Sequence, residues 1–194
     1  MAKLIYLMNT SVDGYVADRD GNFAWSVPDA ALFATYNQIL RPVGTYLYGR
    51  KLYETMAVWD SAHLAPGGQP FIPGLLDLET EFAQLWRGAE KIVFSSTLAT
   101  LATPSTPGTR IERAFDAERI RQLKATTDRD ITVGGPHLAA AAIAANLVDE
   151  FHAVVHPIIV GGGNPWLPRD VRIPLELVSE RRIGPVVYMQ YRRG

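Results

Sequence analysis

The chain alternates short apolar, β-branched runs with stretches whose apolar residues recur at helical spacing. Leu4-Ile5-Tyr6-Leu7-Met8-Asn9 reads as a buried strand, and Asp18-Arg19-Asp20-Gly21 beyond it carries strong turn chemistry. Pro28 can open a helix to about Leu40, with Leu32, Phe33, Tyr36 and Leu40 near helical spacing; Pro42 and Gly44 end it. Thr45-Tyr46-Leu47-Tyr48 predicts a second strand, turning through Gly49-Arg50-Lys51 into a short helix over 52–56. Residues 75–86 predict a helix, 91–94 a third strand, 109–112 a short strand and 116–125 a helix capped by Asp116. Asp130-Ile131-Thr132-Val133 ends in Gly134-Gly135-Pro136, ahead of an alanine-rich helix expected to reach Leu147. Residues 150–155 and 157–160 predict one apolar strand bent near Pro157. The tail, 174–181 and 186–192, predicts a closing hairpin turned by Ile183-Gly184-Pro185. Residues 61–74, rich in Gly and Pro, predict a surface loop or lid, and 103–108 a turn-rich link. Strands alternating with helices point to an α/β sheet, mostly parallel, with an antiparallel C-terminal edge.

A chain of 194 residues fits a single domain spanning 1–194, long enough to bury a real core. A net charge of −1 gives no global attraction to nucleic acid or to an anionic membrane. The absence of cysteine excludes disulfides, thiol catalysis and cysteine metal sites, and agrees with a cytoplasmic setting. Met1-Ala2-Lys3 leads directly into a strand-like run with no cleavable signal pattern, and no apolar run is long enough to span a bilayer.

Three strand ends carry ligand-type chemistry. Gly49-Arg50-Lys51 follows strand 45–48, Ser95-Ser96-Thr97 follows strand 91–94, and Gly134-Gly135 follows strand 131–133. In open α/β sheets ligands sit outside the carboxyl ends of the strands, so these three can converge on one molecule. Paired glycines allow a sharp turn and a close backbone approach, Pro136 suits the first turn of a helix, and the helix start offers free N–H groups to a phosphate. A double-basic step can hold a terminal phosphate, with Arg as a bidentate fork. Each feature also has a plain reading: a solvated helix start for Arg50-Lys51, and simple turns for the serines and glycines. His152 and His156 share one face of a strand but lack a third metal ligand of convincing spacing. Trp59, Phe71 and Trp166 are either core or the apolar wall of a pocket. Gly161-Gly162-Gly163 is either a loop or a close backbone approach.

Five short motifs in order give the chain a family resemblance. They are Ser11-Val12-Asp13-Gly14-Tyr15-Val16-Ala17, Leu47-Tyr48-Gly49-Arg50-Lys51-Leu52-Tyr53-Glu54, Val93-Phe94-Ser95-Ser96-Thr97, Val133-Gly134-Gly135-Pro136, and His156-Pro157-Ile158-Ile159-Val160-Gly161-Gly162-Gly163. Over nearly its whole length the chain resembles the dihydrofolate reductase-like superfamily. Within it, the chain is similar to stand-alone proteins related to the C-terminal reductase domain of bifunctional riboflavin-synthesis enzymes. The resemblance implies a dihydrofolate reductase-like three-layer α/β sandwich and NADPH as cofactor. It implies that Gly49, Arg50 and Lys51 take the adenosine-side phosphates, and that Ser95 and Ser96 lie beside the adenine ribose and its 2′-phosphate. Gly134 and Gly135, with the helix start at Pro136 and His137, would cradle the pyrophosphate, and Ala17 would lie near the nicotinamide. Leu52 departs from the pattern, since a threonine commonly follows the Gly-Arg-basic step.

On the substrate side, classical folate reductases carry an acid just after a Trp-x-x-Pro step. Here Trp25-Ser26-Val27-Pro28 is followed by Asp29, one position earlier, about 100° around a helix. Asp29 either reaches the pocket or caps the helix; Asp13 is the other candidate carboxyl, or a turn aspartate before Gly14. Riboflavin-pathway reductases typically carry an Asp-x-Pro-x-Leu segment where Met56-Ala57-Val58-Trp59-Asp60 stands here, and no deaminase domain is present. The expectation is an NADPH-dependent reductase passing hydride to a small pterin-like or pyrimidine-like heterocycle, with a protonated carboxyl group or a bound water supplying the proton and Asp13 and Asp29 as the candidate carboxyls. The rival expectation is an NADP(H)-binding regulatory or sensing module without turnover. The resemblance also makes a homodimer plausible, through the C-terminal hairpin or an exposed sheet edge.

Overall fold

The first apolar run becomes β1 (Leu4–Ser11), an inner strand flanked on both sides by parallel neighbours. The computed structural model describes residues 1–61, 70–101 and 106–194; most of the expected 61–74 lid and part of the 103–108 link lie outside the described residues. After β1 come β2 (Tyr15–Ala17), a single helical turn (Ala24–Ser26), α1 (Ala30–Leu40) and β3 (Val43–Gly49). Next are α2 (Arg50–Met56), a second single turn (Ala57–Asp60), α3 (Leu76–Arg87), β4 (Glu90–Phe94), β5 (Arg110–Glu112) and α4 (Ala117–Thr126). The chain closes with β6 (Asp130–Gly134), α5 (Pro136–Ala144), β7 (Glu150–His156), β8 (Asn164–Pro165), β9 (Leu175–Ile183) and β10 (Val186–Arg193).

Among the described residues, eight strands form one sheet in the order β5-β4-β3-β6-β1-β7-β10-β9, and β2 pairs with β8 in a small second sheet. β5, β4, β3, β6, β1 and β7 run parallel, and β10 and β9 complete the sheet antiparallel. The expected architecture is therefore present: a mostly parallel sheet with an antiparallel C-terminal hairpin.

Side-chain alternation divides the core between two faces. Leu4 and Tyr6 of β1, Leu47 of β3, Ile131 and Val133 of β6 and Phe151 of β7 pack with Ile120 of α4 and with Ala139, Ala142 and Ile143 of α5. On the other face Tyr46, Tyr48 and Val93 pack with Phe33 of α1 and with Phe82 and Trp86 of α3. The rings of Tyr46, Tyr48 and Trp86 stack with centroids 5.6 Å apart. Each large buried side chain of this kind supplies on the order of 2–3 kcal/mol of transfer free energy. Helices α1 and α3 thus cover one face and α4 and α5 the other, giving three layers.

Four element boundaries differ from the pattern-based expectation. α1 starts at Ala30, because Asp29, at Ncap, accepts from the Leu32 N–H at 2.9 Å and leaves Pro28 outside the helix. α2 starts at Arg50 directly after Gly49. α5 ends at Ala144, because Asn146 adopts a left-handed conformation (φ 62°) that terminates the helix. β7 ends at His156, where the Ile158 N–H donates back to the His156 carbonyl at 2.8 Å and turns 157–160 out of the sheet. The expected Asp116 cap is present, its carboxylate accepting from the N–H groups of Glu118 and Arg119.

Near the amino ends of β1 and β7, Glu150 accepts from Lys3 (2.7 Å) and Gln190 (3.1 Å), and its Oε2 lies 3.1 Å from His152 Nε2. The His152 hydrogen bond is the largest cause holding the Glu150 carboxyl at about 2, with Lys3 adding to it and burial opposing. This value lies below the ordinary 4.5, so the stabilising contribution is complete above pH 4.5 and is lost as pH falls through about 2. Glu150→Gln is expected to flatten the loss of stability between pH 4.5 and 2, measured by urea unfolding at stepped pH; an unchanged slope would show that this carboxylate does not govern acid stability.

Candidate active site

The topology places a crevice before any side chain is considered. From β1 the chain moves through α1 to β3 on one side, then outward to β4 and β5. It returns to β6, beside β1, and crosses through α5 to β7 on the other side. α1 and α5 lie on opposite faces, so the strand order reverses between β6 and β1, where ligands bind in open α/β sheets. The register brings the carboxyl ends of β4, β3 and β6 level, with Gly49 beside Phe94 and Tyr48 beside Gly134, while β1 and β7 pair Ser11 with His156 about four residues beyond the end of β6. The three strand ends singled out in the sequence therefore lie side by side on β4, β3 and β6, at steps of ~4.8 Å.

The two glycines of the β6–α5 turn do different things. A Cβ on Gly134 would lie 2.5 Å from Leu52 Cδ2 and 2.6 Å from Tyr48 Cε1, so this glycine admits neighbouring side chains. The same contact accounts for Leu52, which packs onto Gly134 where the family pattern has a threonine. Gly135 has φ +90° with nothing within 4 Å of the Cβ position, so backbone conformation requires glycine there and the space above it is open. Pro136 opens α5, and its missing N–H costs the helix nothing. The first helical bond runs from the Ala139 N–H to the Gly135 carbonyl, leaving the His137 and Leu138 N–H groups as helix-start donors without an intrahelical partner. His137 is exposed.

Along the same edge, Gly49 is the uncapped start of α2, also with open space at its Cβ position. Arg50 and Lys51 are exposed, with Arg50 3.6 Å from Glu54 one turn on. Ser95 is buried and its hydroxyl accepts from the Thr97 and Leu98 N–H groups at 3.2 and 2.9 Å. That hydroxyl builds the turn, which leaves Ser96 as the exposed serine. Arg113, not singled out in the sequence, reaches the same turn and donates to the Ser95 and Leu98 carbonyls at 3.3 and 2.8 Å.

Both candidate carboxylates are engaged by backbone. Asp13 accepts from the Val160 N–H (3.2 Å) and the Gly161 N–H (2.8 Å), pinning the loop after β7 to the β1–β2 turn. A hydrogen bond from Ser11 and these backbone bonds lower its pKa. With both oxygens accepting backbone N–H groups, Asp13 clamps the two loops together. Asp29 takes the capping alternative, and its second oxygen lies 2.8 Å from the Cβ position of Gly184 in the C-terminal hairpin turn.

Ala17 is buried on β2, paired with Asn164 of β8. A Cβ on Gly163 would lie 2.1 Å from the Ala17 carbonyl oxygen, so the third glycine of 161–163 admits β8 to β2. The expected aromatic wall is divided. Trp59 packs with Phe71, Phe82 and Phe33 against α1 and α3, whereas Trp166 stacks on Tyr6 at the opposite face. His152 and His156 do share a face, but His152 sits in the Glu150 cluster and His156 at the carboxyl edge. Among the described residues no group of three or more His, Cys, Asp or Glu side chains could hold a metal ion.

At the carboxyl ends of β1 and β7, three further residues meet. The Tyr36 hydroxyl donates to Asn9 Oδ1 at 2.5 Å, and His156 Nε2 lies 3.1 Å from the same oxygen. The Trp25 ring stands edge-on to the His156 ring with centroids 5.5 Å apart. Burial pulls the His156 pKa below its ordinary value and pushes that of Tyr36 up. Period-2 alternation along β1 and β7 puts Asn9 and His156 on the α1 face, a signal present in the sequence. Their meeting with Tyr36 depends on how α1 packs.

These features define a three-layer α/β protein with glycine-bearing strand ends at its switch point. The chain belongs to the RibD C-terminal domain family, whose model matches residues 2–189. It is 28% identical over 184 residues to the uncharacterized protein YyaP of Bacillus subtilis (strain 168), covering 92% of this chain and 88% of that one. It shares its fold with a Shewanella sp. PV-4 protein provisionally assigned to riboflavin biosynthesis (TM-score 0.74, 18% identity, 100% of this chain and 99% of that one). The fold is also that of an Enterococcus faecalis dihydrofolate reductase complexed with NADP(H) and RAB-propyl (TM-score 0.60, 14% identity, 99% and 96%).

Gly134→Ala is expected to destabilise the protein by about 1–3 kcal/mol through overpacking against Leu52 and Tyr48. Leu52→Ala in the same chain should recover part of that loss. A double-mutant cycle in urea checks this; additive effects would mean that Gly134 is kept for another reason.

Proposed function

We propose that the protein is a reductase that uses NADPH and acts on a small, electron-poor nitrogen heterocycle of pterin-like or pyrimidine-like type. The reading is supported by membership of the RibD C-terminal domain family and by a fold shared with a dihydrofolate reductase. The observation that carries it is the level edge formed by Gly49, Ser96 and Gly135 on three adjacent parallel strands, with open space at the Cβ positions of both glycines.

The residues present fit such a cofactor. The α5 start and Gly135 would face its pyrophosphate, with two N–H donors and the positive end of a helix dipole. Gly49, Arg50 and Lys51 would take the adenosine-side phosphates, and Ser96 and Arg113 would flank a 2′-phosphate. Ala17 and the β2–β8 pair would lie over the nicotinamide end, toward β1. When bound, NADPH supplies a hydride; the chain orients it along the edge and excludes water from the crevice.

Titration of tryptophan fluorescence tests the reading. NADPH is expected to bind at ~10 µM or tighter, about 7 kcal/mol, with NADH at least ~10-fold weaker. Replacing Arg50 and Lys51 together by Ala should weaken NADPH by about 10-fold and weaken NADH to a similar degree, since both carry the pyrophosphate. No saturable binding of either nucleotide by the parent chain would sink the cofactor assignment.

A further inference from the structure

With Asp13 serving as a clamp and Asp29 as a cap, the crevice needs another group to handle a proton. Asn9, Tyr36 and His156 stand at the carboxyl ends of β1 and β7, on the face covered by α1. From β3, which carries Gly49, to β7 is three strand steps, ~14 Å along the edge. An extended dinucleotide starting at β3 and β4 would thus direct its far end toward this cluster.

The hydrogen bonds impose one tautomer. Tyr36 has a single hydroxyl proton and gives it to Asn9 Oδ1. That oxygen also faces His156 Nε2, so Nε2 carries the proton and donates. The other ring nitrogen, Nδ1, makes no hydrogen bond to a described residue, although His156 is only 5% exposed. A buried imidazole with one nitrogen fixed and the other free resembles a general acid–base more than a structural tie. Tyr36 on α1 shares its acceptor, and Asp29 at the start of that helix acts electrostatically on Tyr36. β10, on the far side of β7, brings Val187 opposite Val155.

We propose that His156, held through Nε2 by Asn9 and Tyr36, presents Nδ1 to the polar edge of the bound nitrogen heterocycle and supplies the proton that completes its reduction. The proposal rests on the reductase reading. Reduction of a C=N bond adds a hydride to carbon, with its two electrons taken from the reduced nicotinamide, and a proton to nitrogen. The proton leaves Nδ1 of the imidazolium, the neutral imidazole remains on Asn9, and solvent restores the proton. Asn9 and Tyr36 are positioning residues. Burial lowers the His156 pKa, so the proton-donating fraction grows as pH falls and the rate should rise toward acid pH.

The test uses the full chain labelled with nitrogen-15 histidine, saturated with NADP+, with 7,8-dihydropterin and 7,8-dihydrofolate, which both carry a reducible C=N bond, as probes. The parent should show the Nε2–H tautomer at His156, and at least one probe should shift the Nδ1 resonance. His156→Asn should lose that shift, keep NADPH affinity within ~2-fold, and reduce oxidation of NADPH with that probe by ~100-fold. The acid-side rise in rate should vanish with it. Tyr36→Phe, which removes one hydroxyl, should relax the tautomer preference and weaken the probe-induced shift. An unmoved Nδ1 resonance with both probes, or a tautomer preference unchanged in Tyr36→Phe, overturns the proposal. So does a probe that shifts Nδ1 but supports no oxidation. Intact NADPH binding with an unchanged rate and pH profile in His156→Asn overturns the role of His156 and leaves the reductase reading standing. Failure of the parent to bind NADPH removes both.

Discussion

The pairing register of the central parallel strands is the constraint on which the rest of this structure depends. Parallel strands cannot be joined by tight turns, so each carboxyl end must pass into a crossover. Here the ends form two levels: Gly49 lies beside Phe94 and Tyr48 beside Gly134, whereas β1 and β7, ending at Ser11 beside His156, run about four residues further than β6. Shifting one strand by a single residue would turn its inward side chains to the opposite layer. The two buried faces, one anchored by Tyr6, Leu47 and Phe151 and the other by Tyr46, Tyr48 and Trp86, therefore hold the edge in place. The crevice follows from this packing.

Polar groups near the crevice divide by what they satisfy. Asp13, Asp29 and the Ser95 hydroxyl each accept backbone N–H groups that would otherwise lack partners, in a loop clamp, a helix cap and a turn. Their chemistry is spent on holding the chain. His156 has one nitrogen engaged and one without a bond to a described residue, Gly135 faces open space, and the first N–H groups of α5 have no helical partner. The distinction is one of hydrogen-bond satisfaction, which residue type alone does not reveal.

Much of the fold was legible in the pattern. β1, β3, β4 and the C-terminal hairpin stood out as apolar or alternating runs, because burying one or both faces of a strand leaves a direct mark on composition. Boundaries were less legible. Pro28 could open a helix as well as precede one, and the Asp29 hydrogen bond decides between them. Asn146 ends α5 through a positive φ that the alanine run before it does not announce. Pro157 marked an irregularity, but the turn of 157–160 out of the sheet rests on the Asp13 clamp, formed across 147 residues of sequence.

The sequence by itself determined the alternation of strands and helices, the glycine and proline at the start of α5, and the order of motifs that carries the family resemblance. These depend on local backbone preference and on periodicity, which neighbouring residues specify together. Only the tertiary structure decided that Gly134 serves Leu52 and Tyr48 while Gly135 serves the open crevice. It also decided that Trp59 and Trp166 lie on opposite faces, and that Asn9, Tyr36 and His156 meet. The physical reason is range. A conformational requirement acts within a few residues, whereas a steric contact or a shared hydrogen-bond acceptor exists only once distant strands and helices have packed.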